Sequence, residues 1–288
     1  MKLLRYGPRG SEKPGLMAAD GTIRDLSGHI ADVTPEALSR AELDRLAALD
    51  PMSLPKVEGT PRLGVPVAGI GKIVAIGLNY ADHAKESNLP IPSEPVMFMK
   101  ALSSLTGPND EVMLPRDSVH SDWEVELGVV IGRTARYVEE ADALDHVAGF
   151  TIVNDVSERF NQKERGSQWS KGKGHDTFAP TGPWLVTTDE IADCQALDMS
   201  LDLNGRRMQT GNTKTMIFPV AELIAYVSRF VTLLPGDLVI TGTPPGVGDG
   251  MKPPLFLKAG DRMDLSIAGL GTQSQAVVEW RRLPEDAR

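Results

Sequence analysis

The stretch Asp122-Trp123-Glu124-Val125-Glu126-Leu127-Gly128-Val129-Val130-Ile131 carries more structural information than any other in the chain. Read as a strand over Trp123 to Ile131, it alternates its side chains between two faces. Trp123, Val125 and Leu127 then point one way, and Glu124 and Glu126 point together the other way. Two carboxylates beside so apolar a strand end repel each other and lose hydration, which raises their pKa unless a cation compensates. A hard cation such as Mg²⁺, Mn²⁺ or Ca²⁺, bound through oxygen, would resolve that conflict. The competing reading is an edge strand with a solvated glutamate face. Spacing alone favours it, because alternating strands with one wet face are common.

A third carboxylate shifts the weighing. Gly149-Phe150-Thr151-Ile152-Val153-Asn154-Asp155 is an apolar strand that delivers Asn154 and Asp155 at its end, where sites are often built. Taken singly, Asp155 is equally well explained as a turn or cap residue before Val156 to Phe160. Only together do Glu124, Glu126 and Asp155 make a metal hypothesis.

Upstream, Gly77-Leu78-Asn79-Tyr80-Ala81-Asp82-His83-Ala84-Lys85-Glu86 follows an apolar run at Lys72 to Gly77. If Tyr80 to Glu86 is helical, His83 and Glu86 lie three residues apart and can touch. A carboxylate that orients an imidazole makes a general base near neutral pH, although an exposed surface pair has the same spacing. Downstream, RFNQKERGSQWSKGKGHD (Arg159 to Asp176) offers Arg159, Gln162, Lys171 and Lys173 as donors to a carboxylate, or is a solvated loop. Thr241-Gly242-Thr243-Pro244-Pro245-Gly246-Val247-Gly248 follows the strand Leu238 to Ile240 and brings backbone close to whatever lies above that strand's end. It lacks the Gly-Lys-Ser/Thr ending of a phosphate loop, and a simple tight turn is the alternative.

Further out, residues 2 to 30 read as short strands with a hairpin turn at Asp20-Gly21, and Pro35 to Leu49 reads as one amphipathic helix capped by Thr34. A proline-bearing stretch leads to a boundary near residue 68, which divides a small N-terminal α/β module, 1–68, from a catalytic domain, 69–288. The second part holds short apolar runs at Val96 to Met99, Ala148 to Val153, Trp184 to Thr187, Met199 to Leu203, Leu238 to Thr241, Met263 to Ile267 and Gln275 to Trp280. One helix is expected from about Pro219 to Val231. The fold class is therefore β-rich α+β, and no repeat or low-complexity tract argues otherwise.

Bulk properties exclude several classes of function. With 288 residues and a formal net charge of -9, the chain can bury a sizeable core but does not suit nucleic acid or an anionic membrane surface. The single cysteine, Cys194, cannot form an intrachain disulfide. With no signal-peptide core and no apolar run long enough for a membrane span, this makes a cytoplasmic protein the expectation.

Taken in order, IVAIGLNYADHAKE, PVMFMKALSSLTGPND, DWEVELGVVIG, GFTIVNDVSER, KGKGHDTFAPTGPW, NGRRMQTGNTKTMIF and PGDLVITGTPPGVG resemble the successive signatures of the fumarylacetoacetate hydrolase family. The resemblance covers roughly residues 70 to 282 and reverses the preference for a solvated Glu124/Glu126 face. It implies a mixed β-sandwich roll and a Mg²⁺ or Mn²⁺ ion held by Glu124, Glu126 and Asp155. His83 and Glu86 become a water-activating dyad, Lys173 a catalytic and substrate-binding lysine, and Gln162 and Thr243 substrate contacts. His175 stands where the family pattern leads one to expect an aromatic residue such as Phe, which bears on the shape of the local pocket.

The resemblance also implies a small anionic 2-oxo acid as substrate and a homodimer or higher homo-oligomer. The N-terminal segment, the dyad and SDWEVELGVVIG look most like bacterial enzymes of sugar-acid breakdown. The reaction implied is hydrolysis of the C3–C4 bond of a 2,4-dioxo acid to pyruvate plus a carboxylic acid, for example 2,4-dioxo-3-deoxy-L-rhamnonate to pyruvate and lactate. Ureidoglycolate lyase, oxaloacetate decarboxylase and 5-carboxymethyl-2-hydroxymuconate-type isomerase are alternatives on the same fold. Outside enzymes, the alternative is a metal-stabilised protein that binds small acids.

Overall fold

The computed structural model describes residues 1–82 and 91–282. Its centre is the strand Val125–Ile131, buried along its whole length in a ten-stranded mixed sheet. On one side lie Val147–Asn154, Ala179–Thr187, Lys2–Tyr6, Lys13–Met17 and Ile23–Asp25; on the other lie Leu238–Ile240, Ile73–Gly77 and Val96–Lys100, while the short strand Leu105–Thr106 pairs with Ala179–Thr187. The expected alternation holds. Val125, Leu127, Val129 and Ile131 enter one core and Val130 enters another on the opposite face. Because both faces are covered, the glutamate face is not wet, and the solvated edge-strand reading fails.

A second sheet, ordered Arg206–Asn212, Asp198–Leu203, Arg262–Ile267, Gly271–Val278 and Val112–Met113, closes over the first core. The helix Val220–Ser228 adds Val220, Leu223, Ile224 and Val227 to that core. The result is a β-dominated sandwich with few helices: the apolar runs implied the β-rich class, and the family resemblance implied the sandwich. No described helix is long and apolar enough to cross a membrane.

Residues before the boundary expected near 68 supply three of the sheet's strands. Lys2–Tyr6 pairs antiparallel with Ala179–Thr187, and Leu3, Leu16, Leu38 and Leu46 share a core with Ile73, Val130 and Leu238. The hairpin turn at Asp20-Gly21 forms, with Gly21 at φ 77° and the Thr22 amide donating to Asp20. The single helix expected over Pro35 to Leu49 is instead a 3₁₀ turn, Pro35–Leu38, and an α-helix, Arg40–Ala47. Ser39 is extended between them and its hydroxyl caps the second piece through the Glu42 amide, while Thr34 makes no side-chain cap. The later helix stops at Ser228, short of Val231.

Candidate active site

Three strand ends converge on one cavity of about 870 Å³. Glu124 and Glu126 stand at the start of Val125–Ile131. Asp155 follows the end of Val147–Asn154, pairing across to it by donating its amide to the Glu124 carbonyl at 2.9 Å. One carboxylate oxygen from each of Glu124, Glu126 and Asp155 lies within 4.8 Å of the others, and all three residues are buried. Asn154 holds this corner in register, accepting from the Glu124 amide at 3.2 Å and donating to Gln275 at 3.1 Å. Asp155 is thus no surface turn residue.

The stretch after Arg159 is a solvated loop only in its middle, where residues 163–168 are exposed. It contains the short helices Arg159–Lys163 and Ser170–Lys173, which turn Arg159, Gln162 and Lys173 into the protein. Lys173 Nζ lies 2.8 Å from Glu124 and 2.6 Å from Asp155. Arg159 Nη2 lies 2.7 Å from both Glu124 and Asp122, and its Nη1 donates to Gln162 Oε1 at 3.1 Å. With Oε1 accepting from the guanidinium, Nε2 is the remaining donor of Gln162, a residue that lines the cavity. Lys171 turns outward and donates to the Arg165 carbonyl on the surface. His175 is not part of the cavity lining; it hydrogen-bonds Asn161 at 3.2 Å and packs edge-on against Phe178, and burial lowers its pKa.

Sequence reasoning missed Lys100. Its ammonium is fully buried, 2.5 Å from Asp155, and also donates to the Lys173 carbonyl, so it fixes a carboxylate of the triad and the backbone of Lys173 together. Among the described residues, four buried carboxylates (Asp122, Glu124, Glu126, Asp155) therefore face three buried cations (Lys100, Arg159, Lys173). Burial works against the charge of Lys173, but Asp155 and Glu124 outweigh it and raise its pKa. Burial lowers that of Lys100, with Lys173 adding to the effect against the pull of Asp155.

Glu126 is the least compensated member. The one hydrogen bond described for it comes from the Gly242 amide at 2.8 Å, and burial, then Asp155 and Glu124, push its pKa well up. A divalent cation would relieve that repulsion, and an all-carboxylate set of this kind suits a hard ion. The residues present therefore fit a Mg²⁺- or Mn²⁺-type site. The Gly242 contact needs glycine: φ is 96°, and a Cβ would lie 2.8 Å from the Asn79 Cβ. Thr243, next in the chain, lines the cavity; its hydroxyl donates to the Val125 carbonyl at 3.0 Å and accepts from Gln209 at 2.8 Å.

His83 and Glu86 lie outside the described residues. What precedes them is firmly held. Asn79 is fully buried and donates to the carbonyls of Phe218 at 3.0 Å and Thr241 at 2.8 Å, and it accepts from the Phe218 amide at 2.8 Å. Leu78, at φ 55°, lines the cavity beside Gly77, onto which Trp169 packs.

A model of the fumarylacetoacetate (FAA) hydrolase C-terminal domain matches residues 72–278, which is most of the chain. The chain belongs to the fumarylacetoacetate hydrolase family. Among its relatives in that family, 2,4-didehydro-3-deoxy-L-rhamnonate hydrolase of Sphingomonas sp. (strain SKA58) is 68% identical over 287 residues, 99% of each chain. The fumarylacetoacetate hydrolase from the psychrophile Exiguobacterium antarcticum superposes with TM-score 0.87 at 37% identity, covering 97% of this chain and 100% of that one. Maleylpyruvate hydrolase from Sphingobium sp. SYK-6, solved with manganese(II) and pyruvate, superposes with TM-score 0.80 at 30% identity, covering 98% and 100%.

Proposed function

We propose that the protein is a metal-dependent hydrolase acting on a carbon–carbon bond in a ketonic substrate. It cleaves C3–C4 of a 2,4-dioxo acid, and the preferred substrate is 2,4-dioxo-3-deoxy-L-rhamnonate, giving pyruvate and lactate. The observation that carries the reading is the buried Glu124/Glu126/Asp155 triad with Lys173 against two of its members, in a cavity of substrate size. Support for the particular substrate comes from the 68% identity to a hydrolase of that compound.

In this mechanism Glu124, Glu126 and Asp155 hold Mg²⁺ or Mn²⁺. The bound ion supplies Lewis acidity and an anchor for the 2-oxo acid end. Lys173, kept cationic by its two carboxylates, donates to the oxygen that gathers charge as the enolate of pyruvate departs. Gln162 Nε2 donates to the substrate from the helix that Arg159 fixes, and the Thr243 segment closes the opposite wall. His83 and Glu86 deprotonate the water that attacks C4, a role assigned by sequence. The same reading has the enzyme working in the cytoplasm as a homodimer or larger homo-oligomer.

The test is pyruvate release by chelator-stripped protein with Mg²⁺ or Mn²⁺ restored, against 2,4-dioxo-3-deoxy sugar acids, simple acylpyruvates, oxaloacetate and ureidoglycolate. Metal-dependent release from the dioxo acids, lost in His83→Ala, is the expected result. Release from oxaloacetate alone that survives His83→Ala would identify a decarboxylase instead.

A further inference from the structure

We infer that the ion pair between Lys163 and Asp249 is a charge filter at the outer end of the cavity, selecting 2-oxo acids whose far end carries no charge. The inference rests on the reading that the 2-oxo acid end sits at the carboxylate triad. Both residues line the same cavity as the triad and pair directly with one another.

Their positions are tied to the inner site through Asp122. That carboxylate accepts from the Gly248 amide at 2.7 Å and the Asp249 amide at 3.0 Å, and it holds Arg159, at the head of the helix that ends in Lys163. The filter and the chemistry are therefore built on one frame. Beside the pair, the cavity wall is apolar at Val247 and Met251, and the exposed Lys252 shares the rim with no ion-pair partner among the described residues.

The charges decide what this rim accepts. Two lysines alone would attract a terminal carboxylate, as a site for dicarboxylic substrates would require. Asp249 neutralises Lys163 and places its own negative charge, only partly exposed, on the path of the substrate's tail. The inner site argues the same way. Four carboxylates against three cations leave one negative charge, a divalent ion turns that to one positive, and a single substrate carboxylate balances it. A second carboxylate has no counter-charge at the inner end, and at the rim the one lining lysine outside an ion pair among the described residues, Lys252, is exposed and screened by solvent.

Two uncleavable 2-oxo acids of equal length test this, 2-oxohexanoate and 2-oxoadipate, with binding to Mn²⁺-loaded full-length protein measured by calorimetry. The wild type should bind 2-oxohexanoate more tightly. Asp249→Asn, nearly isosteric and with no described contact to the triad, should shift the ratio toward 2-oxoadipate by roughly three- to tenfold. The shift should shrink at about 0.5 M salt and reverse when Lys163→Gln is added. An unchanged ratio in Asp249→Asn, a wild type that prefers 2-oxoadipate, or no binding of either acid to metal-loaded protein would overturn the inference. Binding here is independent of cleavage, so absence of pyruvate from dioxo acids would count against the hydrolase reading and leave this ratio to be judged on its own.

Discussion

At the scale of single residues, the site is a contest between carboxylate repulsion and three buried cations. Lys173 bridges Glu124 and Asp155 without touching Glu126, so it lowers the repulsion but does not replace a metal ion. Lys173→Met should cut the rate on the order of a hundredfold while Mn²⁺ still binds, as read by pyruvate release beside calorimetric metal titration. Glu126→Gln should instead abolish Mn²⁺ binding, because the ligand is lost along with its charge. Strand alternation puts Glu124 and Glu126 on one face and a strand end offers Asp155, but that pattern alone favours a solvated face, and Lys173, Gln162 and Thr243 become site residues through the family resemblance. Lys100 enters by neither route. A lysine closing the run Val96–Lys100 reads as a strand end reaching water, and only its packing against the Lys173 carbonyl and Asp155 shows otherwise.

At the scale of elements, two clamps hold parts of the chain that the local pattern leaves undefined. Asn79 ties the start of the segment leading to His83 onto Phe218 and Thr241. Asn79→Ala leaves those backbone groups unpaired, so a loss of about 1–3 kcal/mol in denaturant unfolding is expected, with kcat falling further than KM rises. Asp110 is the second clamp, accepting from Arg62 at 2.6 and 2.7 Å, Thr106 at 2.8 Å and the Gly107 amide at 2.8 Å. Burial alone would raise its carboxyl, but Arg62, Thr106 and Gly107 outweigh burial and hold it well below the usual carboxylate range.

A depressed pKa means that this stabilisation is fully present above the unfolded value near 4, and is lost as pH falls through the folded one. The stability gap between wild type and Asp110→Asn should therefore be roughly 1–3 kcal/mol at neutral pH and close as the solution is acidified below about pH 4. A gap that stays constant with pH would contradict the assignment. Some elements were hidden by their own punctuation. The strand expected over Trp184 to Thr187 runs from Ala179, because Pro180, Gly182 and Pro183 look like a loop, yet Pro180 pairs with Thr106 and Gly182-Pro183 lies at a register shift opposite Val147–Asn154. Similarly, Ser39 breaks what looked like one amphipathic helix.

For the whole molecule, the β-rich α+β class and the order of apolar runs could be read from period-two alternation, but the pairing of distant strands could not. Nothing local says that Lys2–Tyr6 should lie beside Ala179–Thr187, or that Leu3, Leu38 and Leu46 should share a core with Val130 and Leu238. A chain starting at residue 69 would expose that core and the edge of Ala179–Thr187. It is expected to be insoluble or unfolded by circular dichroism, and a cooperative, soluble fragment would show that the N-terminal residues form a dispensable module.

The central claim is that the Glu124/Glu126/Asp155 centre of this fumarylacetoacetate hydrolase family member cleaves a dioxo acid at C3–C4. Its most direct test is a product balance on 2,4-dioxo-3-deoxy-L-rhamnonate with metal-stripped protein, Mn²⁺-restored protein and Glu126→Gln. Equimolar pyruvate and lactate from the restored wild type alone is the predicted result. Substrate consumed without lactate, or equal turnover by the stripped protein or by Glu126→Gln, would contradict it.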